Sequence, residues 1–444
     1  MSKVINELWA DKRLRRTIII FGVLGFLLRM IFIPFTMHND ILHTHMFASK
    51  LAYQGIYDIY GYIKVNFYET LAGKGLNYYP PLTYFLLGSF YVVVKPITSG
   101  FENWMETVTQ MSMLGDRQNY LELFSIPFNQ LGYYISLMKV PYLLFDLLCA
   151  FVIMLYFKNA QESVRAFKLW MINPVVIFGS YIFGQFDIML AFFLLLSLLL
   201  IAKRRLNIGM LIIGCSTLLK PSSLVLILPM SLLLGVNLKQ AVKLMLISVA
   251  PILLVMLPFY ISTGNYVLSA MFPIFIVKSG ASIIDTIEFT IGKMIFITCY
   301  GLLVCRLVFW KKARYNLSFD GWKYILCVML LSYFIFYSPV HYFQWVIPLL
   351  IIGIVNGNIP RKIYVFQIVC LFLYALNSRE LCWQLLLPVD PEYFYNLRGL
   401  PEFMNQFLKW GVVMRLARLL FYGCSFFIIW KMMFKPEIPE VADA

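Results

Sequence analysis

One carboxylate, Asp40, stands in the string His38-Asn39-Asp40-Ile41-Leu42-His43-Thr44-His45, just beyond the first long apolar run, Thr17 to Thr36. Three of the chain's four histidines lie within five residues of it, and the fourth, His341, sits on another short break between apolar runs. A carboxylate at the mouth of a membrane-crossing helix can face water on one side and an apolar wall on the other. Those conditions suit a general base that activates a hydroxyl, and polar groups in such a place are costly unless they do chemistry. Asp is also a favoured N-cap, so a helix beginning at Ile41 gives Asp40 a purely structural alternative. Both readings stand on the sequence alone. The same imidazoles and carboxylate have the chemistry for zinc or manganese. If 41–54 is helical, however, His43 shares the face of Asp40 and His45 points elsewhere. No strict ligand spacing is present, so the expectation is a site without a metal or other cofactor.

Further strings of the same kind follow. Tyr78-Tyr79-Pro80-Pro81 opens an apolar segment. The diproline stiffens the chain there, and the tyrosines suit either a sugar-facing position or a rigid turn in an aromatic belt. Gly184-Gln185-Phe186-Asp187 fills a tight turn between two apolar runs, where Gln185 and Asp187 can read hydroxyls by directional hydrogen bonds. Lys220 precedes Pro221-Ser222-Ser223. A lysine beside a helix N-terminus with two hydroxyls makes a phosphate site; a snorkelling lysine is the structural alternative. His341 lies in Ser338-Pro339-Val340-His341-Tyr342, and Arg379, Arg398, Arg415 and Arg418 are further bases suited to a phosphate. Arg29, inside the first apolar run, is expected to pair with an acid or a lipid phosphate.

The elements that position these residues are read from composition. Hydrophobic residues make up 61% of 444 and charged residues 13%. A spanning helix takes roughly 20 mostly apolar residues, and the chain has room for about twelve such spans. They are expected near 17–36, 134–157, 167–183, 186–202, 206–219, 222–236, 241–261, 289–309, 322–339, 342–356, 361–377 and 409–431, in an all-α polytopic protein. Lys and Arg cluster between alternate spans, which places those loops and both termini in the cytoplasm. The net charge of +15 is then a topology signal, and nucleic acid is not an expected partner. The chain divides into a cytoplasmic N-terminus (1–16), a first transmembrane module (17–261) with a large external loop (37–133), a second module (262–431) with external loops 262–288 and 378–408, and a cytoplasmic tail (432–444). Within the first loop, Pro81 to Pro96 is apolar enough to cross. One crossing there would invert the charge alternation, so a helix lying on the outer face is expected.

The order and side of these strings resemble the GT-C glycosyltransferases, polytopic enzymes that move a sugar from a polyprenyl phosphate to an acceptor at the non-cytoplasmic face. The resemblance rests on Asp40 after the first span, Tyr79-Pro80-Pro81-Leu82-Thr83 in a large first loop, Asn173-Pro174 leading to Gly184-Gln185-Phe186-Asp187, Lys220-Pro221, and a histidine opening a late span at 339–348. The Tyr79–Thr83 string and Asp146-Leu147-Leu148 are similar to the lipid-linked-oligosaccharide glucosyltransferases, and 339–348 to mannosyltransferases; nothing beyond residue 360 carries it. The resemblance implies a hexosyltransferase of an envelope membrane, bacterial by expectation, with residues 17–261 as its catalytic module. Asp40 would be its base, with His43, Tyr79, Gln185, Asp187, Lys220, His341, Arg379 and Arg398 as substrate-binding residues. Its partners would be a polyprenyl-phosphate mannose- or glucose-class donor, a glycan, lipid-linked or protein acceptor, and membrane lipids. Unlike many relatives the chain has Asn39, not a second acid, beside Asp40, and no Glu beside His341, which leaves Asp40 a lone base. Two rivals share the membrane topology: a flippase or transporter of lipid-linked sugars, and a surface-glycan polymerase or ligase.

Overall fold

Where water is absent, each backbone N–H and C=O has to be satisfied within the chain, and a helix does this locally. The computed structural model describes residues 2–74, 79–114, 119–268, 283–309, 317–334, 340–375 and 383–434, and no strand occurs among them. Among the described residues four helices are long and apolar enough to cross a membrane: Phe128–Tyr156, Leu238–Val267, Thr290–Phe309 and Trp410–Met433. A fifth crossing is available to the pair Ala160–Met171 and Pro174–Phe183, bent by 43°. The bend falls where Asn173 caps the second helix through Val175 N–H and Pro174 takes its first position, a place that needs no N–H donor. Shorter apolar helices, among them Pro81–Ile97, Asp187–Ala202, Leu206–Thr217 and Val340–Val355, complete an all-helical fold suited to a polytopic membrane protein.

The helix over the first expected span runs Lys12–Phe32 and is not one of the four. Its basic first turn and Arg29 shorten the uninterrupted apolar stretch. Asp11 caps it by accepting from Arg13 and Leu14 N–H at 2.8 and 3.2 Å. It lies against Ala160–Met171, while Asn39–Gln54 packs on Pro81–Val94 and Phe101–Leu114. One continuous apolar cluster reaches from Met37 to Met433.

Buried charges tie the first helix to this body. Arg29, fully buried, grips Asp146 through Nε and Nη2, the latter at 3.2 Å, and donates through Nη1 to the Gly25 and Met171 carbonyls at 2.7 Å. Tyr181 O–H and Trp170 Nε1–H each donate to Asp146 at 2.7 Å. The acid expected for Arg29 is therefore Asp146. Lys139, also fully buried, donates to the carbonyls of Ile33 at 3.0 Å, Tyr181 at 2.6 Å and Thr36. All three ammonium protons are used, and the carbonyls past a helix C-terminus are a favourable place for a cation.

His45 turns away from Asp40, as the helical spacing implies. Its Nε2 meets the Tyr142 hydroxyl at 2.6 Å and its Nδ1 the Tyr91 hydroxyl. Burial pushes this imidazole down to about 3 from its ordinary 6.5. The folded value lies below the unfolded one, so acid protonates the unfolded chain first. Stability present above pH ~6.5 is lost as pH falls toward 3, at up to ~1.4 kcal/mol per pH unit. Melting in detergent at pH 7 and pH 5 should therefore show a smaller pH shift in His45→Gln than in the parent; an equal shift would refute the assignment.

Candidate functional site

Asp40 lies in the first turn of Asn39–Gln54 and is not its cap. That role falls to His38, whose Nδ1 accepts from Asp40 N–H at 3.2 Å. Tertiary contacts put the cap there: His38 N–H donates to the Phe183 carbonyl at 2.9 Å and Met37 N–H to the Leu385 carbonyl at 3.0 Å. The carboxylate is thus left for other work. It is 34% exposed, with His38 Nδ1 3.5 Å from Oδ1 and Gln185 Nε2 donating to Oδ2 at 3.1 Å.

Gln185 arrives by way of an unusual turn. Phe178–Phe183 forms a π-helix ended by Gly184 at φ 88°, a wide turn often found at functional sites. The Gly179 carbonyl accepts from both Gly184 and Gln185 N–H, at 3.1 and 2.9 Å. A Cβ at Gly179 would lie 1.7 Å from Gln344 Nε2, so any larger residue there would displace the Gln344 amide. At Gly184 the positive φ disfavours any side chain, and a Cβ would approach Ile41 Cδ1 to 3.0 Å. Gly184→Ala should lower stability by about 1–2 kcal/mol, read from detergent melting. Because Ile41 adjoins Asp40, activity should fall with it; a fully stable and active variant would show that the turn does not position the site.

Asp187 opens the next helix and is fully buried. Its Oδ1 accepts from Lys220 Nζ at 2.7 Å and from Trp345 Nε1, and His341 Nε2 lies 3.9 Å from Oδ2. The Lys220 ammonium sits among the rings of Tyr79, Phe186, Tyr342 and Trp345, 5.4, 4.9, 4.2 and 5.4 Å from their centroids. It does not snorkel to solvent. Of the two serines that follow it, Ser223 turns its hydroxyl to the Lys220 carbonyl at 3.1 Å, and Ser222 Oγ is buried without a partner.

Tyr79 is buried against Phe186. Burial and the Asp40 charge raise its phenol well above the ordinary value, so it remains a donor. Its hydroxyl lies 3.5 Å from Gln185 Nε2. Phe183 is stacked between His38 and His341, with centroids 4.1 and 4.3 Å apart. Burial pushes the His43 imidazole below its ordinary value, against the pull of the Asp40 carboxylate.

The structure therefore brings Asp40, His43, Tyr79, Gln185, Asp187, Lys220 and His341 into one cluster. Arg398 is exposed on the segment after Trp383, and its carbonyl accepts from Trp383 Nε1 at 3.1 Å; none of the contacts that join the cluster involves its side chain. Arg418 lies over the Tyr374 and Tyr422 rings. Arg379, Tyr78, Ser338 and Pro339 fall outside the described residues. Sequence reasoning did not single out Phe183, Phe186, Tyr342 and Trp345 as the walls of the site, nor Lys139 behind it. Tyr342 and Trp345 fall within the 339–348 stretch, and a tryptophan so close to His341 was the available signal.

Fold and site together define an all-helical protein, with helices fit to cross a membrane, that carries a partly exposed carboxylate beside a buried acid–lysine–aromatic cluster. No protein-family model matches the chain, and no curated protein or solved structure does either.

Proposed function

We propose that the protein is an inverting hexosyltransferase that takes a mannose- or glucose-class sugar from a polyprenyl phosphate and passes it to a glycan, lipid-linked or protein acceptor at the non-cytoplasmic membrane face. The observation that carries this reading is the convergence of Asp40, Tyr79, Gln185, Asp187, Lys220 and His341, residues from five separate stretches of chain, in one cluster with a partly exposed carboxylate. Asp40 takes the proton of an acceptor hydroxyl, and that oxygen attacks the anomeric carbon from the face opposite the phosphate. The bond from carbon to phosphate oxygen breaks, and the electron pair leaves on the polyprenyl phosphate. Lys220 gives one of its three N–H bonds to Asp187, leaving its charge to meet the departing phosphate. A leaving phosphate whose charge is met by preorganised donors departs readily. The apolar grooves between helices take the prenyl chain, in the arrangement the GT-C resemblance implies.

The test is incubation of the purified full chain with a panel of polyprenyl-phosphate sugars and acceptor glycans, reading released polyprenyl phosphate. Release with a hexose donor that depends on Asp40 supports the reading. Transport of lipid-linked sugar across proteoliposomes without release would replace it with a flippase.

A further inference from the structure

Two amide or carboxylate oxygens in the cluster have no partner. Gln185 Oε1 and Asp187 Oδ2 are buried and make no hydrogen bond, although buried polar atoms in native proteins are nearly all paired. The Gln185 amide is oriented by Asp40: a carboxylate only accepts, so Nε2 faces it at 3.1 Å and Oε1 is turned away. On Asp187 the other oxygen is taken by Lys220 and Trp345. His341 stops 3.9 Å short of Oδ2, and its own Nδ1 is unpartnered. Both open oxygens can only accept, so whatever completes them has to donate. A phosphate, itself an acceptor, belongs on the Lys220 side instead. Tyr342 and Trp345 are stacked 4.6 Å apart beside Lys220 and supply aromatic surface to the same cluster.

We infer that Gln185 Oε1 and Asp187 Oδ2 form the sugar subsite, accepting hydroxyl protons from a neutral hexose and selecting against donor sugars that lack a hydroxyl there or carry a carboxylate. The inference rests on the transferase reading above. A uronate would set acceptor against acceptor and bring a third carboxylate beside Asp40 and Asp187. A missing hydroxyl would leave a buried acceptor bare, the situation in which polar sites discriminate most strongly.

The experiment gives the purified chain a polyprenyl-phosphate hexose, each of its monodeoxy forms and the matching uronate, and reads released polyprenyl phosphate. The uronate and at least one deoxy donor should fall on the order of 10- to 100-fold in kcat/KM below the hexose. In Asp187→Asn the ratio of hexose to that deoxy donor should shrink to about threefold or less, whatever the absolute rate, because the interaction is already lost. Turnover of all donors within about threefold of the hexose would overturn the subsite and leave the transferase standing. An unchanged ratio in Asp187→Asn would remove Asp187 from it. No release from any donor would overturn the transferase reading, and the subsite with it.

Discussion

Asp40→Asn should lower sugar transfer by about a hundred- to ten-thousandfold, the range expected when a general base is removed. The substitution is close to isosteric, and the Asn oxygen still accepts from Gln185 Nε2, which now reaches Asp40 Oδ2 at 3.1 Å. The cap of the helix is unaffected, because His38 binds the backbone N–H at residue 40 and not its side chain. At 34% exposure the carboxylate is not a packing element. Melting temperature and donor affinity should therefore stay near the parent values while kcat falls. Turnover measured alongside donor binding separates the outcomes: a variant with parental kcat would end the assignment, and one that loses donor binding in proportion would make Asp40 a binding residue. Asp40→Glu should retain part of the rate, since it keeps the base and displaces it by one methylene.

The residues that stood out in the sequence did so because they are polar in an apolar setting. Asp40, Gln185, Asp187, Lys220 and His341 are conspicuous against long runs of Leu, Ile and Phe, and the breaks that hold them, Gly184 and Lys220-Pro221 among them, are visible as local chemistry. Helix positions were legible for the same reason: Leu206–Thr217, Arg361–Ala375 and Trp410–Phe434 follow the apolar runs closely. Pairing was less legible. Asp146 is 117 residues from Arg29, and hydropathy carries no information about which buried acid meets which buried base. Of the two readings of Asp40, cap or free carboxylate, local propensity could not choose, because the bonds that put the cap at His38 come from Phe183 and Leu385 far along the chain. The aromatic walls around Lys220 were hidden by abundance: at 17% of all residues, Phe, Trp and Tyr mark nothing by their presence alone.

Asp146→Leu should destabilise the protein by about 3–5 kcal/mol, the cost of leaving a buried partner charge uncompensated. Arg29 would lose its ion pair within a fully buried setting and keep the Gly25 and Met171 carbonyls and the Tyr181 ring. Trp170 and Tyr181 would lose the acceptor they share. The damage should reach the site, because Tyr181 lies in the π-helix that delivers Gln185 and its carbonyl is also held by Lys139. The double substitution Arg29→Met, Asp146→Leu should recover much of the loss, since a buried pair replaced by apolar groups is often neutral or better. Reversible unfolding in mixed micelles, run as a double-mutant cycle, measures the coupling directly. Single variants as stable as the parent would mean that water reaches Arg29. A double variant no better than Asp146→Leu alone would place the loss in the Trp170 and Tyr181 hydrogen bonds. If stability returns in the double variant while transfer does not, the Arg29–Asp146 pair sets the geometry of the π-turn and, through Gln185, the position of the base.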